Sequence, residues 1–178
     1  FKGNPDYSIM IYEKNTSVSL EEGYGVQLSV NSIKLLNKIG FEKLQNDKKF
    51  NPEKINFYSD KSSHKICELD ITNFNSKNCR YTTLKRSNLI DFLKSDLDNF
   101  IKTGYNIAKI DQEDEQIKLI FDNGEINECD YLIISDGVFS KSKDLISNNE
   151  TRLKYNDTLA IRGILKKSPE NIDSKNIS

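Results

Sequence analysis

Tyr131-Leu132-Ile133-Ile134-Ser135-Asp136-Gly137 is the stretch on which the reading of this chain turns. A run that is apolar at every position, not at alternate ones, asks for cover on both faces, which is the habit of a strand in a parallel sheet. Ligands of open α/β sheets bind outside the carboxyl ends of their strands, so an Asp-Gly at that end is well placed. Asp136 supplies an acceptor, and Gly137 lets backbone come close to a ligand. The same dipeptide serves equally well as an ordinary strand-ending turn.

A second apolar run near the start, Ser8-Ile9-Met10-Ile11-Tyr12-Glu13, reads the same way and ends on an acid. A carboxylate at the end of the second strand of a βαβ unit can accept from both ribose hydroxyls of a dinucleotide. Glu13 is also readable as a solvated strand end. The glycine-rich phosphate turn belongs roughly 20 residues before such an acid, and counting back runs off the chain. The chain opens on Phe1 and its one methionine is Met10, so the expectation is a truncated chain lacking that turn.

Between these two strands the pattern changes several times. Asn15 to Glu22 is polar and loop-like, and Gly23-Tyr24-Gly25 follows, able to pass close to a flat ligand or simply to bend. A helix is expected from Asn31 to Gly40, capped by Asn31 or Ser32, with Val30, Ile33, Leu36 and Ile39 inward and Lys34, Asn37 and Lys38 in water. Gln45 to Lys54 reads as a surface loop. Ile55–Ser59 and Lys65–Ile71 read as strands joined by the turn Asp60-Lys61-Ser62-Ser63.

Arg86 to Lys102 is expected to be the longest helix, with Leu89, Phe92, Leu93, Leu97, Phe100 and Ile101 as its stripe and Gly104 closing it. Arg86 at its start can grip phosphate or ribose oxygens through two parallel hydrogen bonds. A lone cation is less comfortable at a helix N-terminus, although a solvated surface arginine reads equally well. Tyr105–Ile110, Gln116–Phe121 and Glu125–Glu128 are strand-like, and Asn123-Gly124 signals a turn with positive φ at both positions. Leu159–Leu165 is a last strand candidate, and the tail from Lys166 is polar. The whole order predicts an α/β fold: a parallel sheet with an antiparallel excursion.

Bulk properties narrow the function. The 178 residues carry 26 basic and 27 acidic side chains, a net charge of −1 that speaks against a nucleic-acid partner. No apolar run approaches the ~18 residues of a membrane-spanning helix, and Phe1 to Asp6 lacks the features of a signal peptide. Cys67, Cys79 and Cys129 are scattered and His64 is the one histidine, so no metal site is expected. Reduced thiols fit a cytoplasmic protein. The sequence holds no GxSxG elbow, Walker loop or HExxH.

Four stretches in series resemble one family, the class A FAD-dependent aromatic hydroxylases (flavoprotein monooxygenases), including the ubiquinone-biosynthesis hydroxylases. Ile9-Met10-Ile11-Tyr12-Glu13-Lys14 resembles the second strand with its ribose-binding acid. Gly23 through Ile39-Gly40 resembles the glycine-containing segment and the helix after it. Leu84-Lys85-Arg86-Ser87-Asn88-Leu89 resembles the helix start whose arginine lies near FAD, and Asp130 through Ser140 resembles the DGxxSxxR motif.

The resemblance implies an incomplete FAD-binding domain of Rossmann-like fold over residues 1–178, with 50–83 and 151–178 contributing strands to part of a mixed-sheet substrate domain. It implies FAD held by Glu13, Lys14, Gly23, Gly25, Arg86, Asp136 and Gly137, and hydroxylation of a small aromatic or quinone-like ring with NAD(P)H and oxygen. No catalytic acid or base is implied. Peripheral membrane association follows only if the substrate is a polyprenyl quinone precursor. Two departures stand out: Lys143 replaces the motif's final arginine and so loses the bidentate fork, and the N-terminal GxGxxG and later GD motifs are absent. Without the glycine turn, the 178 residues alone are expected to bind FAD poorly or not at all. The alternatives are another flavoprotein, such as a halogenase or prenyl reductase, and a non-catalytic α/β module.

Overall fold

Ile11–Glu13 (β1) runs parallel to a strand ninety residues downstream, Ile101–Thr103, with Ile11 opposite Ile101 and Glu13 opposite Thr103. The computed structural model describes residues 6–18, 24–113, 115–146 and 154–161. After β1 come β2 (Gly25–Leu28), α1 (Val30–Leu36), β3 (Lys49–Phe50), β4 (Lys54–Tyr58), β5 (Lys65–Asp70), β6 (Thr82–Lys85) and α2 (Arg86–Lys94). Then follow β7 (Ile101–Thr103), β8 (Ile107–Glu113), β9 (Gln116–Phe121), β10 (Ile126–Cys129) and α3 (Ser142–Ile146). The chain divides into two compact units, Phe1–Val18 with Asp96–Ala160 and Ser19–Ser95 with Ile161–Ser178.

The first unit joins the β1–β7 pair to an antiparallel meander of β8, β9 and β10. Past the ladder, Tyr105 donates its N–H to the carbonyl of Glu13 at 3.0 Å and Gly104 to that of Asn15 at 2.8 Å. Aromatic packing ties the pair to the meander: the Tyr12 and Phe121 rings lie 4.7 Å apart, and Tyr105 meets Phe121 edge-on at 5.1 Å. Phe121 and Leu119 are buried, the centre of this unit's core. The β9–β10 turn is not the two-residue form expected from Asn123-Gly124. Gly124 alone has positive φ, 84°, its N–H donates to Phe121 O at 2.9 Å, and Phe121 N–H donates to Glu125 O at 3.0 Å. That is a type I turn closed by a glycine bulge, a three-residue loop that matches strand twist as well as the two-residue turn does.

In the second unit, β6 lies between β2 and β3, both antiparallel to it, and β4 and β5 form a separate hairpin. Ile33, Phe41 and Leu84 form the core, and Phe41 packs edge-on against Phe92 of α2 at 5.2 Å. The cap of α1 is Ser29, not Asn31 or Ser32: its hydroxyl accepts the Ser32 N–H at 3.4 Å, and its carbonyl accepts that of Ile33. The helix then tightens over Asn37–Ile39 and stops at Gly40, whose φ of 94° is left-handed as expected. Asn37 does not face water; its amide donates to the carbonyl of Asn78 at 2.7 Å. The stretch Gln45 to Lys54 is not simply loop, because it contains β3 and the first residue of β4.

Three further expectations are corrected. The helix from Arg86 ends at Lys94, where Ser95 Oγ closes the last turn by donating to Phe92 O at 2.8 Å and Asp96 turns left-handed at φ 65°. Ile101–Thr103 is strand because pairing with β1 satisfies its backbone and buries more than a solvated helix end could. Tyr131–Ile134 is not a buried strand: it pairs with no described strand, and Tyr131 and Ile133 are 86% and 75% exposed. β1 is likewise not covered on both faces, since Met10 and Ile11 are exposed and β7 is its one partner among the described residues. Leu159–Ile161 carries no strand, and the remainder of that candidate lies outside the described residues.

Candidate functional site

Glu13 stands at the carboxyl end of β1, half-buried, with Oε1 accepting the N–H of Asn15 at 2.9 Å. That local bond folds the chain back just past the strand and fixes the carboxylate at its end. Lys14, the next residue, is exposed. The position of Glu13 is therefore set twice, by its side chain and by the Tyr105 N–H on its carbonyl.

The second cluster is the loop from Ser135 to α3. Gly137 holds φ at 87°, a conformation L side chains rarely adopt, with open space around it. The chain then reverses, with Ser140 N–H donating to Gly137 O at 3.1 Å. Asp136 Oδ2 accepts the N–H of Ser142 at 3.3 Å, and Ser140 Oγ accepts that of Lys143 at 3.2 Å, so two side-chain oxygens satisfy the first amides of α3. The Ser140 hydroxyl, and then Ser142, hold the Asp136 carboxyl below its ordinary range. A shallow, open cavity of about 450 Å³ lies here, lined by Ile134, Asp136, Gly137, Ser140, Lys143 and Ile146 among others. Its chemistry is acceptors for hydroxyl groups beside a cation.

In the other unit, Gly25 is paired with Lys85, and the Arg86 N–H donates to Tyr24 O at 3.0 Å. The glycine segment and the start of α2 are thus brought together by the β2–β6 ladder. A Cβ on Gly25 would meet only Leu84 O, at an ordinary 3.9 Å, so nothing within the described residues demands glycine there. Arg86 is the exposed first residue of α2. Gly23 lies outside the described residues.

Sequence reasoning gave no role to Ser140. The signal was available: a serine three residues before Lys143, at the mouth of a short helical run, is the spacing of a capping side chain.

No family model matches the chain. It is 22% identical over 171 residues to 6-hydroxynicotinate 3-monooxygenase of Bordetella bronchiseptica, covering 94% of this chain and 43% of that enzyme. Among solved structures, 2,6-dihydroxypyridine-3-hydroxylase from Arthrobacter nicotinovorans superposes with a TM-score of 0.66 at 13% identity, over 82% of this chain and 35% of that one. Klebsiella pneumoniae HpxO, solved with FAD and uric acid, gives 0.59 at 15% identity, over 71% and 32%. The chain spans less than half the length of the curated relative. The likenesses bear out the resemblance read from the four motifs and establish the α/β fold with a parallel pair and an antiparallel meander.

Proposed function

We propose that the complete protein is an FAD-dependent monooxygenase that hydroxylates a small aromatic or quinone-precursor ring with NAD(P)H and oxygen. The observation that carries this reading is the position of Glu13, at the carboxyl end of a parallel strand within a chain similar to a ring monooxygenase along 94% of its length.

The residues present suit parts of the cofactor. Glu13 is a carboxylate acceptor for paired ribose hydroxyls. Asp136 and Ser140 face a cavity as hydroxyl-accepting oxygens, and Lys143 adds a positive charge there, though without the fork of an arginine. Lys14 and Arg86 are the remaining cations assigned to phosphate or ribose oxygens, with Gly25 and Gly137 as points of close backbone approach. When bound, FAD supplies the redox chemistry, moving electrons from NAD(P)H and one oxygen atom from O2 to the ring. The protein's share is to hold, orient and exclude water. The pyrophosphate needs a cradle of backbone N–H groups at a helix N-terminus, and no GxGxxG occurs among the 178 residues.

The β4–β5 hairpin is assigned in this reading to the start of the substrate domain. No helix of the described residues is long and apolar enough to cross a membrane. Cytoplasmic residence belongs to the proposal and rests on three cysteines that form no disulfide. The test is to purify the complete protein and follow NAD(P)H and oxygen with a panel of phenols. A yellow protein whose NAD(P)H consumption rises with a phenol supports the reading; a colourless, inert one overturns it.

A further inference from the structure

The two units divide the charge of the chain very unevenly. The unit built on Ser19–Ser95 and Ile161–Ser178 has 17 basic and 11 acidic side chains; the other has 9 and 16. A near-neutral protein thus contains a unit of net charge +6. Within it, cations gather around one helix.

α1 buries Ile33 and leaves Leu35 63% exposed, and in the tighter turn that continues it Ile39 is 48% exposed. These two lie four residues apart, on either side of the point where the helix tightens. Lys34 and Lys38, each next to one of them in the chain, are exposed as well. The Asn37 amide, bonded to Asn78 O, pins a tight turn beside the helix; Ser76 and Cys79 exchange backbone hydrogen bonds and leave Lys77 and Asn78 at its tip, with Arg80 next. Lys34, Lys38, Lys77 and Arg80 are all exposed, and the ion pairs resolved among the described residues involve none of them.

We propose that this face, α1 with the Ser76–Cys79 turn, docks peripherally on a bilayer surface that carries anionic lipids. Two apolar side chains on a short helix can enter the headgroup boundary, while long-stemmed cations beside them reach lipid phosphates and carboxylates. The charge is complementary to an anionic surface that demands no fixed spacing from its partner, which suits four cations on flexible stems. This docking rests on the second unit alone, and it does not depend on the ring the enzyme acts on.

The test is flotation of the 178-residue chain with phosphatidylcholine vesicles, with and without about one-third phosphatidylserine. Binding is expected only to the anionic vesicles and falls as salt is raised. Lys34→Glu with Lys38→Glu should lower it at least about twentyfold, since each cation near such a surface is worth roughly fivefold before reversal. Leu35→Ser with Ile39→Ser should lower it several-fold. Reversing Lys61 and Lys141 instead, for the same change in net charge at other exposed positions, should leave most of the binding. Equal binding to both vesicle types overturns the proposal, as does equal loss in the two charge-reversed pairs. A chain that ignores vesicles but binds polyglutamate assigns the face to an acidic protein and also overturns it.

Discussion

The ring of Tyr12, immediately before the candidate ribose acceptor Glu13, lies 4.7 Å from the ring of Phe121 at the end of the meander's central strand. The acid at the strand end is therefore held in place from below by the core of the unit. Phe121→Ala removes a buried ring and should destabilise the chain by about 3–5 kcal/mol. Phe121→Leu should cost clearly less. Urea unfolding followed by far-UV circular dichroism measures both, and an alanine variant as stable as the parent would mean that Phe121 does not anchor this unit.

Gly124 tests the turn rather than the core. Its φ of 84° is left-handed, yet no atom beyond its own residue and its two chain neighbours lies within 4 Å of where a Cβ would stand. Gly124→Ala should therefore cost about 1–2 kcal/mol through backbone strain alone. Gly124→Asn should cost less, because asparagine tolerates that conformation. If alanine proves neutral, the turn does not have the bulged form described above.

Asp136 makes α3 sensitive to acid. Its carboxyl is held below the ordinary aspartate range by the Ser140 hydroxyl and the Ser142 groups. A lowered folded value means that the carboxylate's contribution is full above the unfolded aspartate value and is lost as pH falls through the lowered one. Protection of the Ser142 amide from hydrogen exchange should persist at mildly acidic pH and vanish below that point. Asp136→Ala should reduce it at every pH above that point, by about 1 kcal/mol or less for a cap this exposed, and make no difference below it. Protection in the variant that still follows the parent's acid transition would assign the transition to another group.

The 178-residue chain should show no saturable FAD binding at micromolar concentration, because no glycine turn is available for the pyrophosphate. A fluorescence-quench titration decides this, and clear saturation would overturn it. In the complete protein, Glu13→Gln should weaken FAD roughly 10- to 100-fold, the range for losing charged hydrogen bonds. Unchanged affinity would remove Glu13 from the ribose site.

Much of the fold was legible because its signals are local. The β4–β5 hairpin and the β8–β10 meander follow from alternation and turn residues, and Gly40 ends its helix where a left-handed residue belongs. Elsewhere local pattern misled. The stripe from Leu89 to Ile101 runs unbroken through a helix, a turn and a strand, with no glycine or proline at Ser95-Asp96 to mark the break. What makes Ile101–Thr103 a strand is the parallel partner β1, far away in sequence. Tyr131–Ile134 shows the converse limit: apolar periodicity tells what a segment would bury, not whether a neighbour stands there to bury it. Glu13, Asp136 and Arg86 stand out in the sequence by residue type and position alone. The use of Asp136 and Ser140 as caps of α3 does not, since it depends on how the loop reverses after Gly137.

The parallel pairing of Ile11–Glu13 with Ile101–Thr103 also sets an order of events during synthesis. β1 leaves the ribosome about ninety residues before β7, its one partner among the described residues, a wait of roughly 5–20 s at ordinary elongation rates. During that interval the whole segment from Gly25 to Lys94 emerges, with its core of Ile33, Phe41 and Leu84 complete. The segment from Gly25 to Lys94 can thus fold before β1 and β7 pair, and β1 needs a chaperone's cover during that interval.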